Sequence, residues 1–391
     1  MSRPERRIST SHHPDRALTV VSLFSGAGGL DLGLERAGFQ TLACVERDKD
    51  CRETLRRNRP DWALIDGASA AQPGDVRSVT GSEILTGLGI ERGRLDVVAG
   101  GPPCQSFSNL GLKKGRLDPV NGDLYSHYLR LVDEIFPRSL VFENVEGFTQ
   151  PKHAEVRAGL YQGLEVLGYR LVHGVLNAAD YGDPQNRRRF VLMGLRGGVP
   201  WLPEPTHLAC HRTVGDALRD LDEWSLDRQD HVVMGVSATV KERMRLVGPG
   251  QNFKVLPDEM RPQCWRSGKH QGADTFGRLR LDRPSVTLRT SSYNPSKGRY
   301  IHPIEDRGLS TMEMAVLQSF PEDWRFVCAG RPSLVGIGRM IGNAVPVRLA
   351  TAIGRALRES LEAVSGSLHP DEQAHAGHTH PERRSAVAQE R

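Results

Sequence analysis

Six short apolar runs, each ending in turn residues and followed by an amphipathic stretch, limit what this chain can fold into. The runs are ALTVVSLF (17 to 24), TLACVE (41 to 46), RLDVVAGG (94 to 101), SLVFENV (139 to 145), YRLVHGVL (169 to 176) and RRFVLMGL (188 to 195). Helical candidates at 30 to 37, 48 to 58, 123 to 136 and 154 to 167 alternate with them. Strand and helix in alternation predict an α/β fold built on a mostly parallel sheet. The pattern stops near residue 196. From 197 to 280, Pro, Gly and Trp are scattered without a sustained period, which predicts a smaller inserted domain. Helical patterns return at 309 to 320, behind a Ser310/Thr311 to Glu313 start signal, and at 345 to 363. Residues 281 to 364 are therefore expected to complete the domain begun at 18 to 196. The polar ends, 1 to 17 and 365 to 391, read as disordered tails.

Composition removes several classes. No apolar run approaches the roughly 18 residues a membrane span needs, and MSRPERRISTSHHPDR has no secretory core, so a cytoplasmic protein without membrane partners is expected. The cysteines (44, 51, 104, 210, 264, 328) form no C-x-x-C pair, which argues against a disulfide framework or a metal site. HAGHTH (375 to 380) reads as solvated tail. The net charge of +5, carried by 44 Arg and 8 Lys, permits a polyanion partner without requiring one. It is unevenly spread: residues 204 to 230 hold 7 acidic and 3 basic side chains, whereas 241 to 280 hold 9 basic and 4 acidic. The later half is the one to place against a polyanion.

Chemistry concentrates where strands end. In LFSGAGGLDLGL, glycines 26, 28 and 29 make a tight turn between a strand and a helix, and Glu46 ends the next strand 20 positions after Gly26. Free N–H groups at a helix start beside a carboxylate that can accept both hydroxyls of a ribose suit a nucleoside cofactor. A mere tight turn is the plainer explanation, because the third glycine sits two places early for G-x-G-x-x-G. Asp75, in PGDVRS, would complete an adenosine pocket or simply cap a turn. VVAGGPPCQSFSNLG (97 to 111) runs a strand into two prolines and delivers Cys104 into a polar loop, a setting for a nucleophile rather than a core cysteine. SLVFENV carries Glu143 and Asn144 near its end, and a carboxylate behind three apolar residues has its pKa raised and can donate a proton. In DPQNRRRF, Arg187 and Arg189 lie two apart on one face of a strand with Arg188 opposite, able to hold Glu143 and touch a carbonyl oxygen. A surface charge run is the ordinary alternative.

The ordered set LFSGAGG, VERD, GPPCQS, ENV, Q-x-R-x-R and GNAVP (342 to 346) resembles the DNA cytosine-5 methyltransferase family of bacterial restriction-modification type. The likeness covers about 18 to 196 and 278 to 360. It implies a Rossmann-like fold that binds S-adenosyl-L-methionine, with a mixed, mostly parallel sheet. By that likeness Phe24 stacks on the adenine, Gly26, Gly28 and Gly29 form the cofactor turn, Glu46 holds the ribose, and Asp75 with Val76 meets the purine. Pro102, Leu124 and Asn343 join the pocket. Cys104 becomes the nucleophile, Glu143 the group that protonates the cytosine ring, Arg187 its organiser and Arg189 a contact to the base. The insert (197 to 280) takes the place of a target-recognition domain, and 104 to 122 that of a mobile catalytic loop. Two departures stand out: Ser22 where many members have Asp, and Arg47 where some have an aromatic residue.

The implied reaction is thiolate addition at C6 with proton donation at N3, since C5 is otherwise too electron-poor to accept a methyl group. The base must leave the duplex stack, at a cost of about a few kcal/mol. Gln105, Ser108, Lys113, Lys114 and Arg116 in the loop, and Arg266, Lys269 and His270 in the insert, are candidate contacts to double-stranded DNA. A monomer is expected, with a restriction endonuclease acting on the same site as a possible partner. Two rivals remain: a tRNA cytosine-5 methyltransferase, whose family shares the Cys and Glu-Asn-Val motifs, and a catalytically silent DNA-binding regulator. A nicotinamide oxidoreductase, suggested by the glycine turn alone, leaves Pro-Pro-Cys-Gln unexplained.

Overall fold

The computed structural model describes residues 16–103, 124–219, 221, 230–267, 272 and 274–366. Cys104, Gln105, Ser108, Lys113, Lys114, Arg116, Lys269, His270 and most of both tails lie outside them. The first half alternates as expected: β1 (Leu18–Leu23), α1 (Gly29–Arg36), β2 (Phe39–Val45), α2 (Lys49–Asn58), β3 (Ala63–Leu64), α3 (Gly81–Leu88), β4 (Val97–Gly100), α4 (Leu124–Ile135), β5 (Ser139–Val145), α5 (Ala154–Val166), β6 (Tyr169–Asn177) and β7 (Arg188–Arg196). Short helices follow, α6 (Val214–Arg219), α7 (Ala238–Arg245) and α8 (Gln263–Arg266), then α9 (Thr311–Leu317), α10 (Leu334–Asn343) and α11 (Val347–Gly366).

The strands form one seven-stranded sheet in the order β3-β2-β1-β4-β5-β7-β6. Strands β1 to β5 are parallel, and β7 runs antiparallel to both β5 and β6. The sheet is thus a mixed, mostly parallel one, as in the Rossmann-like methyltransferase fold. Strand order reverses direction at β1 and β4, and ligand sites of open α/β sheets form at the carboxyl ends of the strands flanking that point. The opposite end is tied shut by Asp96, fully buried, which accepts from the Thr19 backbone N–H at 2.8 Å and from Arg138 at 2.8 Å.

Both faces are covered. One cluster packs α1 and α11 against Val20, Val97, Val141 and Val191; another packs α4 and α5 against Leu23, Val98, Leu140 and Phe142. Helices α1 and α11 approach closely because Gly33 has no side chain: a Cβ there would lie 2.2 Å from that of Ala350. Beyond β7, residues 214–219 join the core under α9 and α10, through Val214 and Ala217. A small separate cluster holds Met244, Val247, Phe253, Leu256, Phe276 and Ile301, with Trp265 packed at a tilt against both Phe253 and Phe276. No helix among the described residues is long and apolar enough to cross a membrane.

Candidate active site

The carboxyl ends of β1, β2, β4 and β5 converge on one region. After β1 the chain turns sharply through Phe24, Gly26 and Gly28, all at positive φ (56°, 56° and 84°). The third glycine is needed for close approach: a Cβ on Gly29 would sit 2.4 Å from the Val345 carbonyl oxygen, so the segment before α11 closes directly over the turn. Glu46, at the end of β2, accepts from the Gly26 N–H at 2.7 Å and from the Asp48 N–H at 2.7 Å. Its crowded surroundings push its pKa up and these two N–H groups pull it back. A carboxylate fixed by backbone donors across a glycine turn keeps lone pairs free for two hydroxyls, so this strand end fits a ribose.

Asp75 is buried, takes a fork of hydrogen bonds from Arg77, and has Arg47 at 3.5 Å. The Arg77 fork holds its carboxyl below the usual range. Val76 is buried beside it, and its carbonyl accepts from Arg130 at 2.9 Å. Phe24 and Leu124 are half-buried on the same apolar cluster as Val76. Pro102 accepts at its carbonyl from Asn144 Nδ2 at 3.1 Å. Asn343 ends α10, exposed, one residue past Gly342.

The pairing of β5 with β7 builds the second half of the site. Val145 is opposite Arg189 and Glu143 opposite Val191, so Glu143 and Arg189 are diagonal neighbours on one face. Arg189 Nε lies 2.9 Å from Glu143 Oε1, and both side chains are about 90% buried. The other carboxylate oxygen faces Gly101, where a Cβ would lie 2.7 Å from it. Gly101 is three residues before Cys104 in the sequence, so the acid lies against the last described stretch of chain ahead of the thiol. Burial raises the Glu143 pKa, with Arg189 and then Arg187 opposing.

Arg187 does something different from its neighbour two residues on. Fully buried, it donates to the carbonyls of Leu288 at 2.6 Å and Gly342 at 2.7 Å, and it acts on Glu143 only through its charge. Burial pulls its own pKa well down. Gln185 adds to the same join, donating to the Leu317 carbonyl at 3.1 Å and accepting from the Leu288 N–H at 2.8 Å. Arg188 points outward to Glu146 at 2.8 Å. Arg266, the insert candidate that is described, is exposed on α8. Among the described residues no group of three or more His, Cys, Asp or Glu side chains could hold a metal ion.

At the switch point of the sheet, then, a glycine turn faces a carboxylate held by backbone N–H groups, and a buried acid–arginine pair stands at the end of β5. The chain belongs to the C-5 cytosine-specific DNA methylase family, whose model matches residues 18–359. It is 35% identical over 347 residues to the Type II methyltransferase M1.HphI of Haemophilus parahaemolyticus, covering 87% of each chain. It is 33% identical over 359 residues to M.PspPI of a Psychrobacter strain, covering 90% of this chain and 81% of that one. Its fold is similar to a chain encoded within an E. coli prophage (TM-score 0.65, 24% identity, 88% of this chain and 100% of that one). Spodoptera frugiperda DNMT2 has a similar fold (TM-score 0.59, 14% identity, 88% and 100%). The protein is a DNA cytosine-5 methyltransferase with S-adenosyl-L-methionine as methyl donor.

The sequence pointed to Glu143, Arg187 and Arg189 together but could not say which arginine reaches the carboxylate. Two positions escaped it. Arg77, which locks Asp75, sits in an unremarkable turn. The role of Asn144, holding Pro102 in place, depends on β4 and β5 being neighbours, which no local pattern reports.

Proposed function

We propose that this chain methylates C5 of a cytosine swung out of a specific duplex DNA sequence, through a covalent bond between Cys104 and C6. The observation that carries the reading is the buried Glu143–Arg189 pair beside Gly101, at the root of the loop that bears Cys104. Thiolate addition at C6 sends electrons toward N3, where Glu143, kept protonated more readily by burial, donates its proton. The resulting enamine is nucleophilic at C5. The bound cofactor supplies an electrophilic methyl group, held by Glu46, Phe24, Asp75 and Val76. Methyl transfer leaves the cofactor as its neutral thioether; loss of the C5 proton to a base then expels the thiolate, and N3 returns its proton to Glu143, which restores the aromatic ring. Asn144, by fixing the Pro102 carbonyl, sets the direction in which the catalytic loop departs.

The insert (197 to 280) is proposed as the target-recognition domain, and Lys113, Lys114 and Arg116 as loop cations that grip DNA. We assign the working form to a monomer, active in the compartment that holds the chromosome. The Type II designation of its relatives supports a companion endonuclease for the same site. The test is incorporation of tritiated methyl groups into duplex DNA or tRNA, with Cys104→Ser alongside. Label in DNA that vanishes in the variant is expected, together with a trapped adduct on 5-fluorocytosine DNA. Label confined to tRNA, or equal label from Cys104→Ser, would overturn the reading.

A further inference from the structure

A cleft of about 740 Å³ opens beside the catalytic pair. One wall is the end of β5 with β7; the other is made by residues 272–300. Arg189 belongs to its lining, which makes the cleft continuous with the proposed reaction centre. Among the described residues four cations line it, Arg188, Arg189, Arg289 and Lys297, against two carboxylates, Glu146 and Asp274. Both carboxylates are engaged: Glu146 with Arg188 at 2.8 Å and Asp274 with Arg299 at 3.1 Å. Arg189 is engaged with Glu143. Arg289 and Lys297 remain, both exposed, and neither has an ion-pair partner among the described residues.

Their backbone is firmly placed although their side chains are free. Arg289 opens a turn in which its N–H donates to Ser292 Oγ at 2.6 Å and its carbonyl accepts from the Ser292 N–H at 3.1 Å. The preceding residue, Leu288, is held at its N–H by Gln185 and at its carbonyl by Arg187. Arg289 is therefore tied to the same segment that carries Arg189. Lys297 ends a short 3-10 turn, Pro295–Lys297, whose start is capped by Asn294 Oδ1 accepting from the Ser296 N–H at 2.9 Å. A cleft that carries unpaired cations on an anchored frame, beside the buried Glu143–Arg189 pair, is arranged for a polyanion whose charges flank one extruded base.

We propose that Arg289 and Lys297 bind the backbone phosphates flanking the target cytosine, so that the grip on the strand and the Glu143–Arg189 pair are set by one frame. The inference rests on the DNA-methylating reading and adds the residues through which that site holds the duplex. Phosphates rather than base edges are assigned because both side chains are exposed at the cleft surface, while Arg189, the lining arginine engaged with Glu143, is buried.

The experiment uses the full chain and a fluorescent duplex pool of randomised sequence, with binding followed by anisotropy across a series of salt concentrations. Arg289→Gln and Lys297→Gln should each lower the slope of log K against log salt by about 0.9, and the double variant by about 1.8. The loss should be equal for all sequences recovered from the pool. Arg170→Gln, at the end of the sheet away from the cleft, should leave the slope unchanged. Sinefungin binding by calorimetry reports that each variant is folded. An unchanged slope in a folded double variant, while wild type methylates the duplex, overturns this inference and leaves the functional reading intact. A loss confined to particular sequences overturns the assignment to phosphates. Wild type that labels tRNA and not DNA sinks the functional reading itself.

Discussion

At the scale of single residues, the decisive balance is at Glu143. Burial raises its pKa and the Arg189 guanidinium lowers it, so the protonated form is available at a higher pH than for an ordinary glutamate but is not permanent. Removing Arg189 takes away the largest opposing influence, and the pKa must rise further. The pH profile of single-turnover methylation, measured between about pH 5 and 9, should therefore show its alkaline limb shifted upward in Arg189→Gln, with a lower plateau if Arg189 also touches the base as proposed. A limb that stays in place would separate Glu143 from proton donation. Glu143→Gln should lose about 10²-fold or more in rate with cofactor affinity retained. Asn144→Ala should lower the single-turnover rate, because its hydrogen bond holds the Pro102 carbonyl two residues before Cys104. Side-chain chemistry at strand ends was legible in sequence because Glu143 follows a run that only a buried strand explains. Which arginine meets it was not, because Arg187 and Arg189 share a face and only the β5–β7 register chooses between them.

At the scale of elements, the continuous apolar runs made the six longer strands readable, while helices built around glycine were hidden. Helix α3 begins at Gly81 and ends on Gly89, and α10 carries Gly336, Gly338 and Gly342 within one short stretch. Those α10 glycines are there for contact: Cβ atoms would meet Tyr293 at 2.6 Å from Gly338 and the Arg289 backbone at 2.4 Å from Gly342. Helix propensity predicts a poor helix at such positions and tertiary packing overrides it. The same logic governs α1 against α11. Gly33→Val would push branched methyl groups into the Ala350 backbone, and the cost should be on the order of 3 kcal/mol, read as a lower midpoint in urea unfolding. Because α1 begins at the cofactor turn, the variant should also bind sinefungin more weakly. Full affinity with the lost stability would show that the turn is held independently of the helix contact. A cap substitution is a milder comparison. Ser310 accepts from the Glu313 N–H at 3.1 Å while Glu313 accepts from the Ser310 N–H at 2.8 Å, so Ser310→Ala should cost about 1 kcal/mol.

At the scale of the whole molecule, the chain closes on itself through α11, and two buried carboxylates sit at that closure. Asp31, in the first turn of α1, is fully buried, and neither oxygen has a hydrogen-bond partner among the described residues; the Ser22 side chain nearby offers partial relief. Asp183, between β6 and β7, is fully buried and accepts at Oδ2 from the Leu349 N–H at 2.8 Å, capping α11 from outside the helix. Burial pushes each up to about 7, with Glu35 and Glu46 adding to the rise at Asp31 and Ser319 and Arg348 opposing it at Asp183. An aspartate that is neutral in the fold and charged when unfolded stabilises fully below about pH 4, and that contribution fades as pH rises through about 7. The protein should therefore melt at a lower temperature at pH 8 than at pH 6. Asp31→Asn keeps the neutral shape without the ionisation, so its stability relative to wild type should grow across that window by about 1 kcal/mol. Asp183→Asn can still present an acceptor to Leu349 and should flatten the dependence in the same sense. A wild-type melting temperature that rises from pH 6 to pH 8, with Asp31→Asn tracking it in parallel, would mean that these carboxylates are charged in the folded chain and that partners outside the described residues compensate them.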